Sequence, residues 1–299
     1  MLFSIVIPTY NRAKLIATTL YSVLSQTYAN FEIIVVDDGS TDNTSHIVDA
    51  IKDKRIVYYK KNNEERSAAR NYGTVRSKGD YITFLDSDDI LCPNFLNEAL
   101  KMIEQEKKPA WFHVRYVIKD SETGSIIIDE KKIYTNNKDL NRRLFYEGNF
   151  ISCIGVFLRK DIAHINLFEF DKRLTTSEDH ELWLRIAAKY PLKINKVVCA
   201  NLIQHDSRSI STMNKDILIN GKKLALHLTL SNRTNDIYTR GHEGKIKSSS
   251  YSYISLHLAL TGKHKGETII YLLKATKHHF FYLFTRRFLA TIKHLIFTY

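Results

Sequence analysis

The sequence predicts an α/β protein, with a mixed, mainly parallel sheet flanked by helices and a helical C-terminal extension. Three observations carry this. Short apolar runs of strand length alternate with helical periodicity through the first 90 residues. Polar clusters fall where those runs end. Beyond residue 210 the strand patterns stop and positive charge accumulates.

Each element follows from its own pattern. Phe3 to Ile7 is a continuous apolar run, the mark of a strand buried on both faces. Leu15, Ile16, Leu20, Val23 and Leu24 recur at helical spacing between Arg12 and Ser25. Phe31 to Val36 is a second strand, closed by Asp37-Asp38-Gly39-Ser40, and Ser40 or Thr41 is placed to cap a helix reaching Ile51. Arg55 to Tyr59 is a third strand, Ser67 to Ser77 a short helix, and Gly79-Asp80 turns the chain into the strand Tyr81 to Leu85. Strands separated by helices of this length imply parallel pairing through right-handed crossovers. After Pro93 a helix runs to Gln105. Ala110 to Lys119, Ser125 to Asp129, Gly155 to Arg159 and Leu192 to Val198 read as further strands, and Ser177 to Ala188 as a helix. Asn214 to Leu230, about Lys247 to Thr261, and Glu267 to near the end then read as three helices. The expected division is a domain over residues 1–210 and an extension over 211–299.

Charge supports that division. From Asp206 to Tyr299 there are 15 Lys and Arg against 5 Asp and Glu, a net +10 out of +12 for the chain. The first 205 residues are left near neutral, at +2. Such a basic segment is suited to an anionic surface. Cys92, Cys153 and Cys199 are scattered and odd in number, which argues against a disulfide framework and for buried small side chains in a reducing, cytoplasmic setting. The N-terminal run lacks a basic start and is broken by Pro8, so it reads as a strand rather than a signal peptide. No apolar run approaches the roughly 20 residues needed to span a bilayer.

In an open parallel sheet, ligands bind at the carboxyl ends of the strands. Pro8-Thr9-Tyr10-Asn11-Arg12 follows the first strand, Asp37-Asp38 the second, Asn62 to Arg70 the third, and Asp86-Ser87-Asp88-Asp89 the fourth. Three carboxylates within four residues repel one another unless a cation is present, and hard oxygen donors suit Mg2+ or Mn2+. The plainer reading is that Asp88 or Asp89 caps the following helix. A carboxylate of Asp37-Asp38-Gly39-Ser40 can accept the imide N–H of a uracil and Tyr10 can stack on the base, or the first can be a turn plus a cap and the second a partly buried loop tyrosine. The segment Arg66 to Gly73 opens a helix, and Arg70 within it can reach a nucleotide or pair with Asp86. Glu178, Asp179 and Glu181 crowd the first turn of another helix, either as complements to its dipole or with one carboxylate serving as an acid/base group. His205 follows the last strand and can join a metal site if its loop folds back.

Together these segments resemble family 2 of the GT-A glycosyltransferases. The matching pieces are Ser4 to Arg12, Ile34 to Asp42, Ala68-Ala69-Arg70-Asn71 with Gly79-Asp80-Tyr81-Ile82, Phe84 to Asp89, and Glu178-Asp179 with Glu181 to Arg185. The resemblance implies a nucleotide-sugar donor, expected to be a UDP-sugar, held by Pro8, Thr9, Tyr10, Arg12, Asp38, Arg70, Asp86 and Ser87. It implies Mn2+ or Mg2+ on Asp88, with His205 a looser match as ligand, and Asp179 as the base that deprotonates an acceptor hydroxyl for a single inverting displacement.

The tail is read separately. Ile269, Leu273, Phe280, Phe284, Phe288, Ile292 and Leu295 follow three-to-four spacing, interrupted by Lys274, Lys277, Arg286, Arg287 and Lys293. A basic, aromatic helix of this kind suits a membrane surface, and the alternative is packing on the domain or in a homo-oligomer. Nucleic acid is not expected. Peripheral contact at the inner face of the plasma membrane would suit a lipid-linked or polysaccharide acceptor. The competing function is a non-catalytic nucleotide-sugar-binding subunit of a membrane assembly. A nicotinamide-dependent oxidoreductase is disfavoured, because Pro8-Thr9-Tyr10 stands where a glycine-rich fingerprint would be.

Overall fold

A computed structural model describes residues 1–129, 139–163, 169–205 and 214–297. Two compact units are present, one formed by Met1–Leu140, Ile151–Arg173 and Tyr190–Thr212, the other by Asn141–Phe150, Leu174–Lys189 and Met213–Tyr299. The change of charge and pattern near residue 210 falls outside the described residues.

The first unit is built on a nine-stranded sheet. Its strands are β1 (Phe3–Thr9), β2 (Phe31–Asp37), β3 (Ile56–Lys60), β4 (Tyr81–Phe84), β5 (Ile90–Leu91), β6 (Trp111–Asp120), β7 (Ile126–Ile128), β8 (Val156–Arg159) and β9 (Lys193–Gln204). The order is β3-β2-β1-β4-β8-β6-β9-β5, with β7 beside β6. β1 pairs in parallel with β2 and β4, and β2 with β3. β8 is antiparallel to both β4 and β6, which makes the sheet mixed. All seven residues of β1 are buried, the Ser4 hydroxyl among them donating to Glu32 Oε1. One core joins Phe3, Ile5 and Ile7 to Ile16, Leu20 and Val23 of helix α1 (Ile16–Leu24) and to Phe95, Leu96 and Ala99 of α4 (Phe95–Gln105).

Helix α2 (Thr44–Ala50) begins later than the capping pattern implied. Ser40 Oγ instead accepts the Asn11 N–H, and Asp42 Oδ1 accepts the Thr44 N–H. Helix α3 (Glu65–Arg76) lies on β1 at Gly73, where a Cβ would sit 2.4 Å from Val6 Cγ1. Only a glycine permits that approach. Helices α5 (Leu140–Glu147) and α6 (Lys160–Ala163) flank β8 in sequence.

The second unit is helical. It comprises most of α5, α7 (Glu178–Ala187), α8 (Lys215–Ser231), α9 (Asp236–Thr239), α10 (Glu243–Leu260), α11 (Lys265–His278) and α12 (Arg286–Phe297). Leu218 and Ile219 pack with Ile254, Leu258 and Tyr271. The single helix expected from Glu267 onward is broken: Phe280–Phe284 forms a 3-10 turn between α11 and α12, entered through an extended His279 at φ −153°. The break turns Tyr282 inward onto Leu272 and Ala275, with Phe288, Ile292 and Leu295 packed around them. The apolar stripe is thereby divided. Its C-terminal part packs, half-buried, against that cluster, whereas Phe280, Phe281 and Phe284 are 64–75% exposed.

Candidate active site

The carboxyl ends of β1, β2 and β4 bring together most of the residues singled out from sequence. Pro8 closes β1 beside Val36, and Thr9 aligns with Asp37. Thr9 is buried, with no hydrogen-bond partner for its hydroxyl among the described residues. Tyr10 follows and is about half exposed (46%), leaving its ring available for stacking. Asn11 is left-handed at φ 51°, and its Oδ1 accepts the Thr41 N–H, tying the loop after β1 to the loop after β2.

The two aspartates at the end of β2 differ in role. Asp37 is fully buried and structural: its carboxylate accepts the Ser40 N–H and the Tyr58 hydroxyl. Asp38 Oδ1 lies 2.7 Å from Lys61 Nζ and also accepts the Glu64 N–H. Burial works against the Lys61 charge, but hydrogen bonds to Asp38 and Glu64 prevail and raise its pKa. Lys61 was not legible as a site residue, since nothing in its local sequence announces a partner 23 positions away.

Asp86, Asp88 and Asp89 place one oxygen each within 4.8 Å of one another. Cations surround them. Arg70 Nη2 donates to Asp86 Oδ1 at 2.8 Å, and its guanidinium lies 5.3 Å from the Phe170 ring centroid. Arg12 Nη2 is 3.6 Å from Asp88 Oδ2. β9 runs past the expected Val198 to Gln204 and delivers His205, whose Nε2 is 3.1 Å from the same Asp88 oxygen. The rest of the loop beyond His205 lies outside the described residues. Asp89 does not cap a helix: α4 begins at Phe95, and Asp89 Oδ1 accepts the Ile203 N–H, binding the acidic turn to β9. Ser87 is buried between them in sequence. The carboxylate oxygens suit a hard divalent cation such as Mg2+ or Mn2+, whereas the imidazole is a borderline donor better matched to a transition-metal ion.

Asp179 belongs to the second unit. It stands in the first turn of α7, after Ser177 in a left-handed conformation at φ 61°. Its Oδ2 accepts from Asn149 Nδ2 at 3.0 Å, and its Oδ1 from the His180 N–H at 2.6 Å. Its neighbours divide the work of the turn. Glu181 is paired with Arg185 within the helix, and His180 is buried, with Nε2 3.0 Å from the Leu144 carbonyl oxygen. Burial lowers the His180 pKa to about 3, so the ring is neutral.

Comparison with known proteins assigns the chain. Residues 4–165 match glycosyl transferase family 2. The chain belongs to that family. An uncharacterized glycosyltransferase of Rickettsia felis is 36% identical over 194 residues, 62% of this chain and 30% of that protein. The chain thus spans about a third of that relative's length. The Escherichia coli protein named UDP-Glc:alpha-D-GlcNAc-diphosphoundecaprenol beta-1,3-glucosyltransferase WfaP is 37% identical over 191 residues, 63% of this chain and 71% of that one. In three dimensions the chain resembles residues 1–349 of S. aureus TarS, solved in complex with UDP-GlcNAc. The TM-score is 0.66, at 18% identity, over 93% of this chain and 89% of that one. At such identity the likeness is one of fold, and the fold is GT-A.

Proposed function

We propose that this family 2 enzyme is an inverting glycosyltransferase that moves a sugar from a UDP-sugar to an acceptor hydroxyl. Residues 1–210 are assigned as the transferase domain and 211–299 as its basic helical extension. The observation that carries the reading is the acidic turn Asp86-Ser87-Asp88, ringed by Arg12, Arg70 and His205 on the rim where a GT-A sheet receives its donor.

Tyr10 and Asp38 take the base, with Pro8 and Thr9 forming the floor beneath them. Arg12, Arg70, Asp86 and Ser87 hold the ribose and diphosphate. Asp88 and His205 would ligate Mg2+ or Mn2+. A bound divalent ion would offset the charge that builds on the departing nucleoside diphosphate. Arg12 and Arg70 add fixed positive charge to the same rim at no cost of reorganisation. Asp179 accepts the proton of the acceptor hydroxyl, whose oxygen attacks the anomeric carbon from the face opposite the leaving group, so one displacement inverts the centre. The transition state has oxocarbenium character.

The acceptor is assigned as a saccharide, free or lipid-linked. Support comes from the diphosphoundecaprenol acceptor in the name of WfaP. It comes also from the exposed Phe280, Phe281, Phe284 and Phe297, interspersed in sequence with Lys277, Arg286 and Lys293, a composition fitted to an anionic bilayer. No described helix is long and apolar enough to cross a membrane, so contact at the inner face of the plasma membrane would be peripheral. A donor screen that reads release of nucleoside diphosphate with and without divalent metal tests the assignment. A protein that binds UDP-sugar but never turns it over would instead be a non-catalytic subunit.

A further inference from the structure

Lys61 stands just past β3 and Asp38 just past β2. The parallel register that sets Asp37 against Lys60 brings the two side by side. The Asp37 carbonyl oxygen accepts the Lys61 N–H at 2.9 Å, which fixes the start of the loop after β3. Gly39, at φ 87°, lets the loop after β2 close onto it, since a Cβ there would lie 3.0 Å from the Asn63 nitrogen.

The Lys61 side chain is 11% exposed and that of Asp38 6%. An ammonium has three N–H donors and no acceptor. Three oxygens surround that of Lys61: Asp38 Oδ1 at 2.7 Å, the Asn62 carbonyl at 2.6 Å and Glu64 Oε2 at 3.2 Å. Its donors are thus spent inside the protein, and none is left for a ligand. Asp38 is placed differently. Oδ1 accepts both Lys61 Nζ and the Glu64 N–H, whereas Oδ2 takes only a share of that N–H, at 3.2 Å. A carboxylate oxygen can accept two hydrogen bonds, so Oδ2 keeps a lone pair. The carboxylate cannot turn without breaking a buried ion pair, which is costly. Its free acceptor is therefore fixed in direction. An acceptor-only group discriminates between pyrimidines, because uracil presents an N3–H donor and cytosine a bare N3 lone pair that repels it.

We propose that Lys61 is a positioning residue that sets base specificity: by holding Asp38 through Oδ1 it leaves Oδ2 to accept the imide N–H of uracil and to exclude cytosine. The proposal rests on Asp38 taking the base.

Titration calorimetry of the full chain with UDP and with CDP, in one Mg2+ buffer, tests it. The two probes share ribose and diphosphate and differ only on the edge of the base. Wild type should prefer UDP. Lys61→Met should weaken UDP by about tenfold, as loss of a charged hydrogen bond does, and leave CDP within twofold. Lys61→Gln keeps a donor without the charge and should lie between them. In an Asp38→Ala background, Lys61→Met should leave the ratio of UDP to CDP affinity where Asp38→Ala put it. Equal weakening of both probes in folded Lys61→Met and Lys61→Gln, or an unchanged ratio, overturns the role of Lys61 alone. So does a further tenfold fall of the ratio in the Asp38→Ala background. A wild-type ratio in Asp38→Ala overturns the assignment of Asp38 to the base and the proposal together.

Discussion

The pairing of Arg70 with Asp86 makes a quantitative demand on stability. The Arg70 side chain is 3% exposed and that of Asp86 30%, at an N–O distance of 2.8 Å. A hydrogen bond to a charged group contributes about 1.5–3 kcal/mol. Partial exposure lets water recover some of the Asp86 charge, which pulls the loss toward the lower half of that range. Methionine at position 70 keeps an apolar contact with Phe170, so Arg70→Met isolates the charge. The expected cost is about 2 kcal/mol. Asp86→Asn alone should cost at least as much, because it removes the counter-charge of the more deeply buried guanidinium, and the double variant should recover at least ~0.5 kcal/mol relative to the sum. The assay is urea unfolding followed by tryptophan emission in a Trp183→Phe background. The chain has two tryptophans, and Trp111 then reports on the first unit alone. A loss below ~0.5 kcal/mol, or strict additivity in the double variant, would show that solvent, not Arg70, carries the Asp86 charge.

Three further outcomes are expected. Gly73→Ala should destabilise the first unit by about 1–3 kcal/mol through the clash with Val6, with Val6→Ala recovering part of it in urea unfolding. His113 and His180 are buried and neutral, burial lowering each pKa to about 3 from 6.5. The unfolded chain therefore binds these two protons first, so stability present above pH 6.5 should fall on acidification by up to about 1.4 kcal/mol per pH unit for each ring. A flat stability profile between pH 6 and 4.5 would contradict their burial as neutral rings. Co-sedimentation with vesicles rich in anionic lipid should weaken severalfold in Phe281→Ser/Phe284→Ser and be absent with neutral lipid. Equal binding by wild type and variant would remove the membrane role of the tail. Deleting residues 267–299 is the poorer test, because Tyr282 and Arg287 are part of the second unit's interior.

What was legible in the sequence was whatever depends on short-range periodicity. β1, β2 and α3 declare themselves through apolar runs and small residues, and the acidic turn after β4 through charge density. The family resemblance then fixed an order among the rim motifs that no single one supplied. What was illegible depends on distant partners. The tail satisfies a helical period through Phe280 and Phe284 with no Gly or Pro to interrupt it, and the break coincides with the packing of Tyr282 against Leu272 and Ala275. Asp89 resembles a cap by position, but Ile203, 114 residues away, supplies its donor. Asn149 carries no motif. It acquires meaning from its hydrogen bond to Asp179, which the chain creates by bringing segments 141–150 and 174–189 into one unit.

The most direct test of the central claim is release of UDP from a UDP-sugar in the presence of acceptor, with Mn2+ or with chelator, in wild type, Asp88→Ala and Asp179→Asn. Metal-dependent release is expected in wild type, with losses of at least a hundredfold in both variants. Near-wild-type donor affinity should survive in Asp179→Asn, since the base acts on the acceptor. Release that persists with chelator and in both variants would contradict the metal site at Asp88 and the base at Asp179 alike.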